Sequence, residues 1–303
     1  MAHDTHILDG INYDLTLHTR DEYLEMTKDW TDPCEDFIVE DFQLQNDEKG
    51  RTFKVVREDL NPLGGTKGRL GELLMSTIKT DTITYVAPRQ GHAPAALAIL
   101  AKKYNKRLVL FAPARQEAST HQMHAAELGG ELRWVRSAAM PNLNREAKAW
   151  ADRNNATFFP FGLKHPLVTA VMTRACDNYM KKHGQPKEMW TAISTGVMSR
   201  SMQVGWPDTD FHCVAVARNI KGGEAGRAKI YSHPYEFGRG EDMETAPFPS
   251  VKTYDLKVLR FMREHASDGA FFWNTGRDHH VSMDPATINS YREWGDRSDL
   301  LKP

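Results

Sequence analysis

A lysine follows a glycine turn in "NPLGGTKGRLGELL", residues 61–74, and leucines recur behind it at helical spacing. The flexible Gly64-Gly65 backbone would let the amine of Lys67 reach into a cavity. A cation at a helix N-terminus opposes the helix dipole, and a desolvated lysine there has a lowered pKa, which suits Schiff-base chemistry. The alternative is that Lys67 is a solvated residue of the first helical turn.

A second loop, "STGVMSR" at residues 194–200, follows an apolar segment. A Ser-Thr-Gly turn between a strand and a helix can bind a phosphate through backbone N–H groups. The patterns G-x-x-x-x-G-K-[ST] and G-x-G-x-x-G are absent from the chain, so a nucleoside triphosphate or a dinucleotide is not indicated. The alternative is a plain turn in which Thr195 caps the helix.

A third loop places Gly91 and His92 before a helix of small residues, within residues 87–113. Small side chains let a flat ligand approach the backbone closely, so this helix start is a candidate binding wall. The alternative is that His92 is a hydrogen-bonded loop histidine.

Other histidines lie at helical spacing in "HQMHAAE" and in "DHH" at residues 278–280. His121 and His124 could ligate a metal together with Glu127, but the sequence indicates no second ligand cluster beside them. We therefore predict no metal site.

Short apolar segments alternate with helical segments from residue 80 onward, which predicts an α/β fold with open, mostly parallel sheet and helices on both faces. In such sheets ligands bind beyond the carboxyl ends of the strands, where the second and third loops would lie. Residues 218–250 are predicted to be irregular, and no element is assigned to residues 1–50. The predicted strands are 80–87, 107–113, 131–135, 156–161, 188–194, 211–217 and 269–275, and the predicted helices are 93–104, 116–128, 144–153, 167–180 and 254–266.

The composition is that of an ordinary globular chain of 303 residues with a net charge of −1, which forces neither a nucleic acid nor an anionic membrane as partner. Cys34, Cys176 and Cys213 are far apart and form no C-x-x-C motif, which indicates reduced thiols in a cytosol-like compartment. The sequence has no signal-peptide pattern and no apolar stretch long enough for a membrane span. We predict a cytoplasmic protein.

Taken in order, the motifs resemble the fold type II pyridoxal-phosphate enzymes, the tryptophan-synthase-β-like superfamily. The nearest branch is the aminocyclopropane-carboxylate deaminase and D-cysteine desulfhydrase group, whose lysine segment "GGNK-x-R" is similar to "GGTKGRLGELL". His92 stands where that group has an asparagine beside the cofactor, and "TGVMSRSM" keeps the first and last members of the phosphate loop. The segments "FFPFGLKHPLVTAV", "KTYDLKVL" and "FFWNTGRD" follow in the family's order, so the resemblance runs from about residue 60 to 278.

The resemblance implies a role for each matched residue. Lys67 would hold pyridoxal phosphate as a Schiff base and shuttle the Cα proton, and Tyr254 would lie on the substrate side as an acid or base. Asp255 would face the pyridine nitrogen and keep it protonated, which favours a Cα carbanion or quinonoid. The alternative for Asp255 is a first-turn residue that complements the helix dipole. The other implied cofactor contacts are His92 near the ring oxygen, the phosphate loop Thr195, Gly196, Val197 and Met198, and Thr275.

Some positions depart from the family pattern. Val197 and Met198 replace loop hydroxyls, so phosphate binding would depend on backbone groups. Arg89, Gln90 and Gly91 stand in the segment where many relatives have small hydroxyl residues that bind the substrate carboxylate. Arg89 could instead bind a carboxylate or a phosphate bidentately. These changes leave open a substrate in which the amino acid is attached to something larger, such as a modified nucleotide or a DNA base.

The lysine and phosphate loops flank the alternating segment, which predicts two lobes with the cofactor between them. We expect residues 75–165 to form a small lobe, inserted in a large cofactor-binding lobe made of residues 1–74 and 166–303. A homodimer without membrane contact is expected.

Three functions remain open. The first is a pyridoxal-phosphate enzyme that forms a Cα carbanion on an amino-acid-like substrate, of the deaminase, lyase or decarboxylase type. The second is a degenerate relative that binds a ligand but catalyses no reaction. It is suggested by His92, Val197 and Met198, which depart from the family pattern. The third is an unrelated α/β protein that binds a phosphate ligand.

Overall fold

The β-branched and aromatic segments of the chain pair into two separate sheets. The computed structural model describes residues 18–34, 36–114, 118–136, 139–217, 220 and 223–282. Within them the strands are β1 Val39–Gln43, β2 Thr52–Arg57, β3 Thr82–Val86, β4 Arg107–Pro113, β5 Glu131–Val135, β6 Thr157–Phe158, β7 Glu188–Ile193, β8 Asp210–Ala215, β9 Lys229–Ser232 and β10 Phe271–Asn274.

The larger sheet has the order β1-β2-β10-β7-β8-β9, and only its edge pair β1 and β2 is antiparallel. The smaller sheet has the order β5-β4-β3-β6 and is parallel throughout. Parallel strands need crossover connections, and helices supply most of them. The carboxyl ends of neighbouring parallel strands therefore meet at one edge of each sheet.

The helices of the described residues cover both sheets. They are α1 Arg20–Met26, α2 Thr66–Thr77, α3 Ala93–Lys103, α4 Thr120–Glu127, α5 Met140–Arg153, α6 Pro166–His183, α7 Val197–Gly205 and α8 Leu256–His265. One buried core runs through residues of both sheets, from Ile83 and Leu110 to Met172 and Trp273. The predicted fold class, α/β with mostly parallel sheets flanked by helices, is confirmed.

The small residues of α3 have a packing role that the sequence did not reveal. A Cβ atom on Gly64 would lie 3.0 Å from the Cα of Ala96 and 3.1 Å from a methyl group of Ile99. The glycine turn before α2 therefore lies directly against the backbone of α3. This contact fixes the start of α2, and with it Lys67, relative to the smaller sheet.

Some predicted elements were wrong in extent. The predicted strand 156–161 ends after Phe158, because Pro160 and Gly162, whose φ is 79°, turn the chain into the short 3-10 helix Phe161–Leu163. The predicted irregular segment 218–250 contains β9, which pairs with β8. The start of the predicted helix 116–128 lies partly outside the described residues.

All strands of the smaller sheet lie between residues 82 and 158, and those of the larger sheet lie outside that range. The lobe boundaries at residues 75 and 165 stay a prediction. None of the described helices combines the length and apolarity that crossing a membrane would require.

Candidate active site

Loops from both sheets line one cavity, which lies at the starts of α2, α3 and α7 and at the end of β10. The loop after β7 and the segment before α8 complete it. Most of the predicted site residues line this cavity, namely Lys67, Gln90, Gly91, His92, Thr195, Gly196, Val197, Met198, Tyr254 and Thr275. Arg89 lines a neighbouring cavity instead. Asp255 does not line the cavity itself, but it is hydrogen-bonded to Thr275, which does.

Lys67 enters the cavity because the turn before it is held against the end of β10. The N–H of Thr66 donates to the carbonyl of Thr275 at 2.9 Å, and a Cβ on Gly65 would lie 2.5 Å from that same oxygen. Gly65 also has a φ of 76°, a backbone conformation that is strained for any residue with a Cβ atom. No other residue type fits this turn without moving β10.

The amine of Lys67 is set up to be a nucleophile. Its Nζ donates to the carbonyl of Gly162 at 3.4 Å, and no carboxylate of the described residues forms an ion pair with it. Burial lowers the pKa of Lys67 from 10.5 to about 8. About a tenth of the amine is then neutral at pH 7, far more than for a lysine in water, and the neutral amine is the form that attacks a carbonyl.

The loop between β7 and α7 offers backbone donors at a helix N-terminus. Gly196 is the N-cap of α7, with a φ of 74°, and no side chain caps the helix there. The alternative in which Thr195 caps α7 is therefore wrong. The Thr195 side chain packs against Gly162 instead, since a Cβ atom built on Gly162 would lie 2.8 Å from the Thr195 hydroxyl. The first N–H groups of α7 remain available to an anion.

We expect Gly196→Ala to damage both the fold and anion binding. The alanine Cβ would lie 1.8 Å from the carbonyl oxygen of Glu224, and the positive φ at this position would add backbone strain. Gly269→Ala is the matched control, because Gly269 also has a φ of 74° and has open space around it. Denaturant unfolding should show a loss of about 1 kcal/mol for the control and of about 2–5 kcal/mol for Gly196→Ala. Equal losses would mean that the Glu224 loop yields at little cost.

Asp255 is a fully buried carboxylic acid with one oxygen unused. Its Oδ2 accepts a hydrogen bond from Thr275 Oγ1 at 2.7 Å, whereas Oδ1 has no hydrogen-bond partner among the described residues. Burial raises the pKa of Asp255 to about 8, against the opposing effect of the Thr275 hydrogen bonds. Its side chain makes no capping hydrogen bond at the start of α8. An unused acceptor in a buried place fits a cationic donor.

Tyr254 lines the cavity, but its hydroxyl has a structural partner. The Tyr254 hydroxyl donates to the carbonyl of Ala192 at 3.2 Å, and burial raises its pKa far above the usual value. The phenol is thus anchored to the end of β7 in its neutral form. The acid or base role of Tyr254 stays a prediction.

The segment from Arg89 to His92 forms the wall between two cavities. Gln90, Gly91 and His92 line both of them, and the buried Oε1 of Gln90 has no partner among the described residues. Arg89 is exposed and lines only the outer cavity. Burial, assisted by His121, lowers the pKa of His92, so its ring is neutral near neutral pH. Gln90 is therefore the better placed of the predicted substrate contacts.

Sequence reasoning missed several cavity residues from distant parts of the chain, among them Tyr85 and Phe237. Tyr85 lies one residue before the end of β3, and its hydroxyl accepts a hydrogen bond from the N–H of Gly162 at 3.1 Å. Phe237 comes from the segment that was predicted to be irregular. A β-branched and aromatic strand end could have drawn attention to Tyr85, but no local signal marks Phe237.

Comparison with solved structures gives close matches in fold at low identity. An ACC deaminase homologue superposes with a TM-score of 0.71 at 17% identity, over 86% of this chain and 95% of that chain. Diaminopropionate ammonia lyase from Escherichia coli gives 0.60 at 13% identity, over 98% and 96%. A pyridoxal 5'-phosphate-dependent aspartate racemase gives 0.58 at 12% identity, over 89% and 96%.

No protein-family model matches the sequence. No curated protein matches it either. The fold is thus shared where sequence similarity is slight. The order of motifs from Lys67 to Thr275 predicted this outcome, and the fold of this chain is that of the fold type II pyridoxal-phosphate enzymes.

Proposed function

We propose that the chain is a pyridoxal-phosphate enzyme that acts at Cα of an amino-acid-like substrate. The observation that carries the proposal is the Oδ1 of buried Asp255, which has no partner among the described residues, while its Oδ2 accepts from Thr275 in the lining of the cavity that Lys67 enters. When bound, pyridoxal phosphate supplies a sink for the electron pair left at Cα. An anionic carboxylate beside the ring nitrogen would strengthen that sink, because it keeps the nitrogen protonated.

The chain's own residues divide the remaining work. Lys67 would hold the cofactor covalently through Nζ and, once that amine is released by the amine of the substrate, would move the Cα proton. The N-terminal N–H groups of α7 bind the phosphate, which needs no hydroxyl from Val197 or Met198. Gln90 Oε1 accepts a hydrogen bond from the substrate, and the apolar walls of the cavity exclude water. Loss of ammonia and loss of carbon dioxide are both compatible with this arrangement.

A third cavity supports a substrate with an anionic attachment. It shares Pro88, Phe161, Ser194, Thr195 and Phe237 with the first cavity. Its lining includes the basic residues Arg145, Lys148 and Lys164 and one carboxylate, Glu224. Guanidinium and ammonium groups recognise phosphate. The substrate class we propose is therefore an amino acid joined to a phosphate-bearing group such as a nucleotide.

Proton exchange at Cα tests the proposal without knowledge of the final product. Protein loaded with pyridoxal phosphate is incubated in deuterium oxide with amino acids and with nucleotide-linked amino acids. Proton NMR should show loss of the Cα signal or the appearance of a product, and Lys67→Ala should show neither. A chain that takes up no pyridoxal phosphate would contradict the proposal at its first step.

A degenerate binding protein is the second candidate, favoured by the anchored hydroxyl of Tyr254 and the apolar Val197 and Met198. It predicts that the loaded protein binds an amino-acid ligand but exchanges no Cα proton. The shared fold argues against the third candidate, an unrelated phosphate-binding protein. The homodimer stays a prediction.

A further inference from the structure

Four histidines and one aspartate gather beside the active-site cavity, and we call them the histidine cluster. His92 lies at the start of α3, His121 and His124 lie one turn apart on α4, and Asp278 and His279 follow β10. The ring nitrogens Nε2 of His92 and His121 are 3.3 Å apart, and His92 Nε2 is 3.9 Å from Asp278 Oδ1. Three elements distant in sequence thus converge on one point.

This geometry is that of a set of metal ligands. One ligand atom from each of His92, His121 and Asp278 lies within 4.8 Å of the others. Tetrahedral bonds of about 2.0–2.1 Å separate two ligand atoms by roughly 3.4 Å, which is close to the distance between the two imidazole nitrogens. The N–H of Lys252 donates to Asp278 Oδ2 at 2.9 Å, which holds the carboxylate in place and leaves Oδ1 facing His92 Nε2.

We propose that His92, His121 and Asp278 bind a divalent transition-metal ion, with Zn²⁺ as the best match. Two imidazoles and one carboxylate are a ligand set that zinc uses when one position is left open to water or substrate. Non-haem iron sites use the same ligand types, so Fe²⁺ is the competing metal. His124 and His279 stack at 4.1 Å between ring centroids and border the site.

The site lies in the outer cavity, beside the cavity that Lys67 enters. His92, Gln90 and Gly91 line both cavities, and Arg89 and Lys252 add positive charge to the outer one. A metal held there would present its open position to a carboxylate or phosphate oxygen of an entering substrate. This use of the metal rests on the proposed function, whereas the metal site itself does not.

Cobalt spectroscopy and zinc calorimetry test the site directly. The full chain is stripped with a chelator and titrated with Co²⁺, which should give the intense visible bands of a low-coordinate site, and with Zn²⁺, which should bind one ion per chain. His121→Ala and Asp278→Asn should each weaken Zn²⁺ binding by about 100-fold or more, since each removes a direct ligand. His280→Ala, an exposed neighbour outside the cluster, should change it less than about twofold.

The same titrations in Lys67→Ala keep the two proposals apart. Metal binding should persist there, because Lys67 is not a ligand, whereas the cofactor attachment should be lost. Circular dichroism of each variant shows whether it is folded. Absence of cobalt bands in the folded wild-type chain, or equal zinc affinity in the wild type, His121→Ala and Asp278→Asn, would overturn the metal site. Metal binding without any cofactor uptake would overturn the proposed function alone.

Discussion

Lys67→Ala is expected to abolish turnover and to release the cofactor from covalent attachment. Alanine removes both the amine that holds the cofactor and the base that moves the Cα proton. Loss of one such proton-transfer group costs about 10²–10⁴ in rate, and here two roles fall together, so we expect a decrease of about 10⁴ or more. The measurement is the visible absorbance of the loaded protein, followed by turnover once a substrate is found.

Lys257 provides a matched control for this assignment. It is also buried, and burial lowers its pKa to about 8, but its Nζ donates to the carbonyl of Glu236 at 2.8 Å and it does not line the cavity. Borohydride reduction of the loaded protein should leave a pyridoxyl group on the peptide with Lys67 and none on that with Lys257. A modified Lys257 would mean that reactivity follows pKa and not position, and the assignment of Lys67 would fail.

Asp255→Asn is expected to slow turnover by about 10² or more at matched cofactor occupancy. The amide keeps the shape of the carboxyl but cannot hold the ring nitrogen protonated by its charge, so the electron sink at Cα weakens. Each factor of ten in rate needs only about 1.4 kcal/mol of lost transition-state stabilisation. Cofactor content should fall much less, because Lys67 and the loop before α7 still hold it. Unchanged turnover would reduce Asp255 to a structural residue.

The same substitution gives an independent readout in the cofactor-free protein. The pKa of Asp255 is raised to about 8 in the folded chain, from 3.8 when solvated, so the folded state binds the proton more tightly. The contribution of Asp255 to stability is therefore present at low pH and is lost as pH rises toward 8. Asp59 and Asp278 reinforce the shift, and Thr275 opposes it.

Between about pH 5 and 7.5, the free energy of unfolding of Asp255→Asn should rise relative to that of the wild type by about 1.4 kcal/mol per pH unit. Chemical denaturation of both proteins across this range measures the difference, and the histidines that titrate there cancel in the comparison. A constant difference would show that Asp255 is already ionised in the cofactor-free chain, and that burial does not raise its pKa.

The local sequence determined much of the fold and part of the candidate site. The strands Arg107–Pro113 and Glu131–Val135 were predicted at their observed bounds. The first is an apolar run of the kind that a strand buried on both faces needs, and the second is an edge strand in which charged and apolar residues alternate. The glycine turn before Lys67 and the loop before α7 were also recognisable. Each is a short motif in which consecutive residues determine the backbone conformation.

Only the tertiary structure decided which side chains share a space. Nothing near Asp255 in sequence shows that one of its oxygens faces Thr275 while the other has no partner among the described residues, because that depends on how the chain after β10 lies against the residue before α8. The convergence of His92, His121 and Asp278 is likewise set by the packing of α3, α4 and the chain after β10. Local patterns fix elements and turns, since those interactions join neighbours in sequence. Sites depend on contacts between distant segments, which only the packed chain establishes.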